Sequence, residues 1–486
     1  MKKIILTYPN QRWQQHDTNT VWDLNPATLC LLAAMIRDIV EVRIVDCQFN
    51  DMALSDFKSL VEEYRPDYVG ISVMTSEYQD TLDIVADLVK EIDPAIITIA
   101  GGVHVTTKYD YAMHNPNLDY AVRGEGEYTL RSLLQFLSKQ GELPRKGLVY
   151  RNDGDVVVQD VARVKNLTKL PLPDYSLIDL RPYLEKGARF GPNRPAEFPA
   201  YKIVTTRGCP CGCSFCQVEL ISGRTVRARD PKDIVKELRW MRDAYGIRAV
   251  VFEDDNLLMA DGGRFARELF KLMIEEKLNL KWTAIAFAIF LLTDELLDLM
   301  VDSGCIGINV AIESGNERVL HEIVEKRMVK LDKVPEQIGK ITQRGMYCIA
   351  NFIIGFPGET WDEIRETIAF AENCSADYVK FFIAVPLYGT KLYYTALKMG
   401  AIQSDESYPK TDWRYSQISS DEWTAEDISI LRAYEWDRIN FNPSRIDKVA
   451  RLWGMDRAEI NRIRKATRDG LKFAVYKDVS ALGEVK

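Results

Sequence analysis

Three thiols, Cys209, Cys213 and Cys216, stand in C-x3-C-x2-C spacing within Thr205-Thr206-Arg207-Gly208-Cys209-Pro210-Cys211-Gly212-Cys213-Ser214-Phe215-Cys216, directly after an apolar run at 201–204. Thiolates this close converge on one iron–sulfur cluster without help from a distant segment. Three of them on a four-iron cube leave one iron free to hold a small molecule, and an open coordination position separates a reactive metal centre from a structural one. Two other chemistries accept clustered cysteines. Zinc sites usually come as two separated pairs, and no second cysteine pair or histidine pair follows here. Cys211, an extra thiol inside the loop, would close the cluster as a fourth ligand and make it an electron carrier or scaffold. C-x-C-x-C packing around one cube is sterically awkward, which favours Cys211 as a bystander.

The same stretch, set inside Arg-Gly-Cys-Pro and with Phe215 just before the last cysteine, resembles the radical S-adenosylmethionine (SAM) enzymes. The resemblance implies a [4Fe–4S] cluster on Cys209, Cys213 and Cys216, with Phe215 beside the SAM held on its fourth iron. It also implies reductive cleavage of the sulfonium to a 5′-deoxyadenosyl radical. Three further motifs resemble the family. Glu313-Ser314-Gly315 corresponds to a Glu-Ser-Gly that faces the ribose or carboxylate of SAM. The stretch Gly355-Phe356-Pro357-Gly358-Glu359-Thr360 corresponds to a loop beside the adenine, and Pro386-Leu387-Tyr388-Gly389-Thr390 to the close of a last strand. Glu253-Asp254-Asp255-Asn256 offers carboxylates, of which Glu253 or Asp254 would grip the SAM ammonium through charge-assisted hydrogen bonds, while the rest cap the next turn.

These motifs need a scaffold that brings distant loops together. Apolar runs at 201–205, 249–252, 282–286, 307–312, 347–354 and 378–385 alternate with amphipathic ones at 231–244, 263–276, 293–302, 333–344 and 360–373. That pattern predicts a partial (β/α)6 barrel over residues 201–395, with chemistry at the carboxyl ends of its strands. Ala286-Phe287-Ala288-Ile289, after the third strand, is wholly apolar and reads as core packing more readily than as a substrate wall.

Residues 1–140 repeat the alternation, with strands expected at 3–7, 42–45, 68–73, 96–100 and 120–122 and helices between them. A doubly wound parallel sheet follows, which binds ligands at the carboxyl ends of its strands. The succession Val45-Asp46, Ile71-Ser72, Gly101-Gly102-Val103-His104, Gly124-Glu125-Gly126-Glu127 resembles the flavodoxin-like cobalamin-binding domain that precedes many radical SAM enzymes. It implies corrin contacts at Ser72, Thr75, Gly101, Gly102, Val103, His104 and Glu125. His104 reads as packing or contact near the corrin rather than as a catalytic group. The D-x-H-x-x-G signature falls at 46–51, where Gln48 replaces the histidine and Asp51 the glycine. Cobalt held here is therefore expected to lack a protein histidine on its lower face.

Residues 141–200 read as a connector, with a hairpin signal around Asp153-Gly154 and a proline-marked boundary at Leu170-Pro171-Leu172-Pro173. Residues 396–486 read as a helical tail that begins with a helix start at Thr424-Ala425-Glu426-Asp427. Its basic cluster, Arg462, Arg464, Lys465 and Arg468, reads as a solvated face.

Composition bounds the partners. A net charge of −8 over 486 residues, without a long basic block, argues against nucleic acid. The apolar start at 1–6 breaks at Tyr8-Pro9-Asn10 and reads as a strand, not a signal peptide, and no run is long enough to span a membrane. The 9 cysteines, mostly single in apolar surroundings, suit a reducing cytoplasm.

Together these features lead to the expectation of a cobalamin-dependent radical SAM methyltransferase acting on an unactivated carbon of a small molecule. A flavodoxin or ferredoxin would supply its electrons. The alternatives are a cyclase, oxidase, rearrangement or coupling enzyme with the same cofactors, and a four-thiolate electron carrier or scaffold.

Overall fold

The computed structural model describes residues 1–14, 25–74, 79–186, 195, 197–402 and 415–479, with side chains as far as 469. Strands β1 (Lys3–Tyr8), β2 (Glu41–Asp46), β3 (Tyr68–Ser72), β4 (Ile97–Gly101) and β5 (Tyr120–Val122) form a parallel sheet in the order 2-1-3-4-5. This is the flavodoxin-like order, whose crevice opens where the winding reverses between β1 and β3. Alternation along β1 shows why both faces are covered. Ile4 and Leu6 pack with Leu29, Ala33 and Leu130 on one side, and Ile5 packs with Phe57, Leu82 and Val85 on the other. Helices 27–36 and 126–137 supply the first set, helices 54–64 and 79–92 the second.

The hairpin signal near Asp153-Gly154 extends this sheet. Strands β6 (Leu148–Asn152) and β7 (Asp155–Val158) pair antiparallel, and β6 pairs antiparallel with β5, giving seven strands in one sheet. Asp153 and Gly154 both take positive φ, 52° and 94°, as a two-residue hairpin turn demands. Sequence alone put this hairpin with the connector because the open edge of β5, which it covers, lies outside its own local pattern.

Strands β8 (Ala200–Ile203), β11 (Ala249–Phe252), β12 (Lys281–Phe287), β13 (Cys305–Glu313), β14 (Tyr347–Ile354) and β15 (Tyr378–Ile383) form a second parallel sheet in chain order. Between β8 and β11 a short ribbon, β9 (Thr206–Arg207) against β10 (Arg227–Ala228), brackets the cysteine loop. Trp282, Ile308, Val310, Ala350, Phe352 and Phe381 turn outward into one apolar core. The alternate residues of the same strands, among them Thr283, Asn309, Ala311, Glu313, Asn351 and Lys380, turn inward. Phe287, Ala288 and Ile289 are buried in the outer core, so the apolar run after the third strand is packing.

The partial barrel leaves β15 with a free edge, and the tail covers it. Helix 425–440 starts with a capping box between Thr424 and Asp427 and ends on Asn440. There the Asn440 side chain accepts a hydrogen bond from Val379 N at 2.8 Å and donates to Val379 O at 2.8 Å. Phe441, Ile446 and Val449 then pack on Ile349 and Tyr378. No helix among the described residues is long and apolar enough to cross a membrane.

Replacing Asn440 by Ala strands both buried backbone groups of Val379. The expected loss is about 2–4 kcal/mol, read as an earlier barrel transition in urea, with unfolding of the N-terminal domain unchanged.

Candidate active site

The segment entering the cysteine loop is gripped residue by residue. Parallel pairing of Ile203 with Phe252 brings the residues after β11 alongside those after β8, and Glu253 N donates to Ile203 O at 2.8 Å. Asp254 Oδ1 then accepts from Thr205 N at 2.9 Å, Thr205 Oγ1 at 2.8 Å and Thr206 Oγ1 at 2.7 Å, and also from Thr206 N. Burial raises the Asp254 carboxyl to about 6 in spite of these donors. Asp255 Oδ2 accepts from Gly208 N at 2.8 Å. Gly208 has a φ of 98°, and a Cβ there would lie 2.5 Å from Thr225 O, so only glycine passes. Between them Arg207 reaches out to the N-terminal domain and donates to Glu127 Oε1 at 2.6 Å.

The four loop thiols are all half-buried. Cys209 N donates to Gly223 O at 3.2 Å and Cys216 N to Cys213 O at 3.1 Å. Ser214 ties the loop to the segments that follow β13 and β15: its N donates to Val324 O at 3.0 Å, and its O accepts from Leu392 N at 2.9 Å. Hydrogen bonding from Cys211 lowers the Cys209 thiol to about 7 and pushes Cys211 itself up. Burial raises Cys213 to about 12 and Cys216 to about 11. Among the described residues no three His, Cys, Asp or Glu side chains converge on a point that would hold a single metal ion.

A buried cation faces this loop. Lys326 Nζ donates to Glu313 Oε1 at 2.8 Å and to Ala311 O at 2.6 Å. Burial opposes its charge, and the Glu313 carboxylate, with a smaller contribution from Cys213, outweighs burial and holds it protonated. Glu313 adopts a φ of 78°, a strained conformation for a residue with a side chain. Lys326 was missed from sequence because it sits in Glu325-Lys326-Arg327, which looks like any solvated charged turn.

The remaining SAM candidates divide. The Phe215 ring lies 6.2 Å from that of Phe356, centroid to centroid, so the cysteine loop meets the Gly355 loop. Gly355 N and Phe356 N donate to Glu359 Oε2 at 2.7 and 2.9 Å, and burial raises that carboxyl to about 8. Ser314 Oγ lies 3.0 Å from Thr367 Oγ1. Asp254 commits Oδ1 to the loop, and its Oδ2 is buried with no hydrogen-bond partner among the described residues. Glu253 sits elsewhere, 3.5 Å from Lys202 Nζ and 3.3 Å from Asn25 Nδ2.

Glu253 belongs to the wall of a cavity of about 390 Å³ between the two sheets. Ser72, Gly101, Gly102, Val103 and Glu125 line it from the N-terminal domain, and Lys202, Val204 and Arg207 from the barrel. Gly102 has a φ of 107°, and a Cβ on it would lie 2.1 Å from Val73 O. Thr75 lies outside the described residues. His104 is absent from this wall: it is buried, with Nε2 2.6 Å from Gln79 Oε1. Gln48, at the position of the missing histidine, is also buried and accepts from Gln11 N at 2.9 Å. The cavity's upper wall is small and glycine-rich and its floor apolar (Leu6, Ile99, Leu130), so a ligand can approach the backbone there closely.

The family model for the radical SAM superfamily matches residues 203–371, and that for a B12 binding domain matches residues 18–134. An uncharacterized methyltransferase of Pyrococcus horikoshii is 32% identical over 375 residues, covering 76% of this chain and 78% of that protein. The chain belongs to the radical SAM superfamily. This radical SAM enzyme is also 28% identical over 481 residues to the cytidylyl-2-hydroxyethylphosphonate methyltransferase of Streptomyces wedmorensis, covering 89% of each chain. It is 25% identical over 397 residues to an anaerobic magnesium-protoporphyrin IX monomethyl ester cyclase of Rubrivivax gelatinosus, covering 79% of this chain and 68% of that one. Its fold matches the cobalamin-dependent radical enzyme OxsB with a TM-score of 0.72 at 17% identity, over 98% of this chain and 73% of that one. It also matches the methyltransferase TsrM of Kitasatospora setae with a TM-score of 0.65 at 18% identity, over 83% and 76%. Its cofactors are accordingly SAM, a [4Fe–4S] cluster and cobalamin.

Burial lowers His104 to about 4, and the nearby Lys108 charge adds to the shift. The unfolded chain, with an ordinary imidazole near 6.5, therefore takes up this proton first, and stability is lost as pH falls from about 6.5 towards 4. Relative to His104→Gln, the wild-type apoprotein is expected to lose about 3 kcal/mol between pH 7 and pH 4, measured by urea unfolding at each pH.

Proposed function

We propose that this radical SAM enzyme transfers a methyl group to an unactivated carbon of a small molecule. The observation that carries the reading is that one residue, Arg207, lies two positions before the first cluster cysteine and also lines, from the barrel, the cavity that the N-terminal domain shares. Cluster and corrin sites thus share a wall. When bound, the cofactors supply reductive SAM cleavage, hydrogen abstraction and a transferable methyl group.

The chain's own residues bind and position. Cys209, Cys213 and Cys216 hold the cluster, and Cys211 stays outside it. The Lys326 ammonium offsets the negative charge that three thiolates bring into a half-buried loop and fixes the Glu313 carboxylate beside it. Phe215, Ser314 and the Gly355 loop bound the SAM site, and Glu253 faces the corrin side. Ser72, Gly101, Gly102, Val103 and Glu125 contact cobalamin, with His104 packed behind them. Gln48 stands where the signature has its histidine, so cobalt held here would lack a protein histidine. A flavodoxin or ferredoxin donates the electrons, and the protein works in the cytoplasm without nucleic acid.

The magnesium-protoporphyrin cyclase relative supports a second reading, the same cofactors without methyl transfer. Anaerobic reconstitution followed by chromatography separates the two. Methyl transfer releases both 5′-deoxyadenosine and S-adenosylhomocysteine; the second reading releases 5′-deoxyadenosine alone. Cys211→Ala is expected to retain the cluster and SAM cleavage; loss of the cluster in this variant, together with wild-type protein that cleaves no SAM, would instead favour a four-thiolate carrier.

A further inference from the structure

We propose that Arg207, Arg227, Glu125 and Glu127 form a positioning clamp that sets the spacing between the cluster and the corrin. The inference rests on both cofactors binding where the function above puts them.

The clamp joins the two domains at the point nearest both sites. Glu125 and Glu127 flank Gly126 at the start of helix 126–137, in the loop after β5. Arg207 and Arg227 face each other across the β9–β10 ribbon that brackets the cysteines. Arg227 Nη1 and Nη2 each donate to one Glu125 oxygen, both at 2.7 Å, and Nη2 also donates to Ser222 O at 2.8 Å. Val164 N donates to Glu125 Oε2 at 2.6 Å, so this carboxylate is held by the connector as well as by the barrel. Arg207 binds Glu127 at 2.6 Å and lies 3.5 Å from Glu125. The side chains of Glu125 and Glu127 are only 5% and 6% exposed, and two guanidinium groups against two carboxylates leave no net charge.

Three features separate this arrangement from an ordinary domain contact. The Arg227–Glu125 pair is forked and bidentate, which fixes direction as well as distance as an ammonium would not, and Arg207 adds a single bond to Glu127. Its neighbours leave Arg207 no slack: Thr206 is held by Asp254 and Gly208 by Asp255, so a shift at Glu127 is passed to Cys209. Finally, Glu125, Glu127 and Arg207 all line the cavity, so whatever fills it rests against the clamp itself. Positioning of this kind matters because a misplacement of about 1 Å between reacting groups costs about 100-fold in rate.

The spacing is read without any substrate. Protein reconstituted with iron and sulfide, loaded with hydroxocobalamin and reduced with dithionite carries two paramagnets, the reduced cluster and cob(II)alamin. The cluster speeds relaxation of the cobalt signal by an amount that falls steeply with distance, measured by microwave power saturation. Arg207→Leu/Glu127→Leu removes both charges together, so neither is stranded. This variant is expected to bind both cofactors while the relaxation enhancement falls at least twofold, and Glu127→Gln, which keeps shape and hydrogen bond, is expected to fall between it and wild type. Wild-type enhancement in both variants overturns the proposal. If the double variant does not fold, Glu127→Gln decides alone: a reduced enhancement supports the clamp and an unchanged one refutes it. Wild-type protein that takes up no hydroxocobalamin refutes the underlying cofactor reading instead, before any variant is made.

Discussion

Carboxylates holding residues 205 to 208 are the constraint on which the rest of the site depends. Asp254 takes Thr205 and Thr206, Glu127 takes Arg207, and Asp255 takes Gly208. Backbone N–H groups leaving a strand end would otherwise need water, and water at this place would compete for an open iron. Charged acceptors satisfy them more strongly than neutral ones, so the chain enters the cysteine loop on a fixed path. Two of these acids come from the neighbouring strand and one from the other domain. The loop is thus located by the whole protein rather than by its own twelve residues.

That fixed path explains the electrostatics around it. Ionising Asp254 in a buried place is costly, as its raised pKa shows, and the protein tolerates the cost where four donors meet one oxygen. On the opposite side Lys326 and Glu313 make a buried pair that points toward the thiols. A thiolate-held cluster is an anion, and a buried ammonium beside it lowers the cost of placing that charge in a poorly solvated cleft. The positive φ of Glu313 and the glycine-only geometry at Gly102 and Gly208 belong to the same pattern. Local strain sits where backbone must approach a ligand or a turn, and rigid parallel sheets around it supply the stability.

Much of this was legible in the sequence, and the exceptions share a cause. Cysteine spacing and strand–helix alternation are local patterns, so the loop, both parallel sheets and the capped helix at Thr424 could be read from neighbouring residues alone. Asp254 could not: its role depends on β8 lying beside β11, and in sequence an acid after a strand looks equally like a cofactor ligand. Arg207 and Glu127 are eighty positions apart and meet only because two domains dock. Lys326 is charged and follows a turn, which signals solvent, yet the fold buries it. The hairpin 148–158 was visible as a hairpin, but not which open edge it would join.

The most direct test of this account is cluster uptake by Asp254 variants. Wild type and Asp254→Asn, whose carboxamide oxygen still accepts hydrogen bonds, should each reconstitute with about four irons per chain. Asp254→Ala should take up less than half of that while still binding hydroxocobalamin through an intact N-terminal domain. Full iron uptake by Asp254→Ala, with an unchanged paramagnetic spectrum on adding SAM, would contradict it.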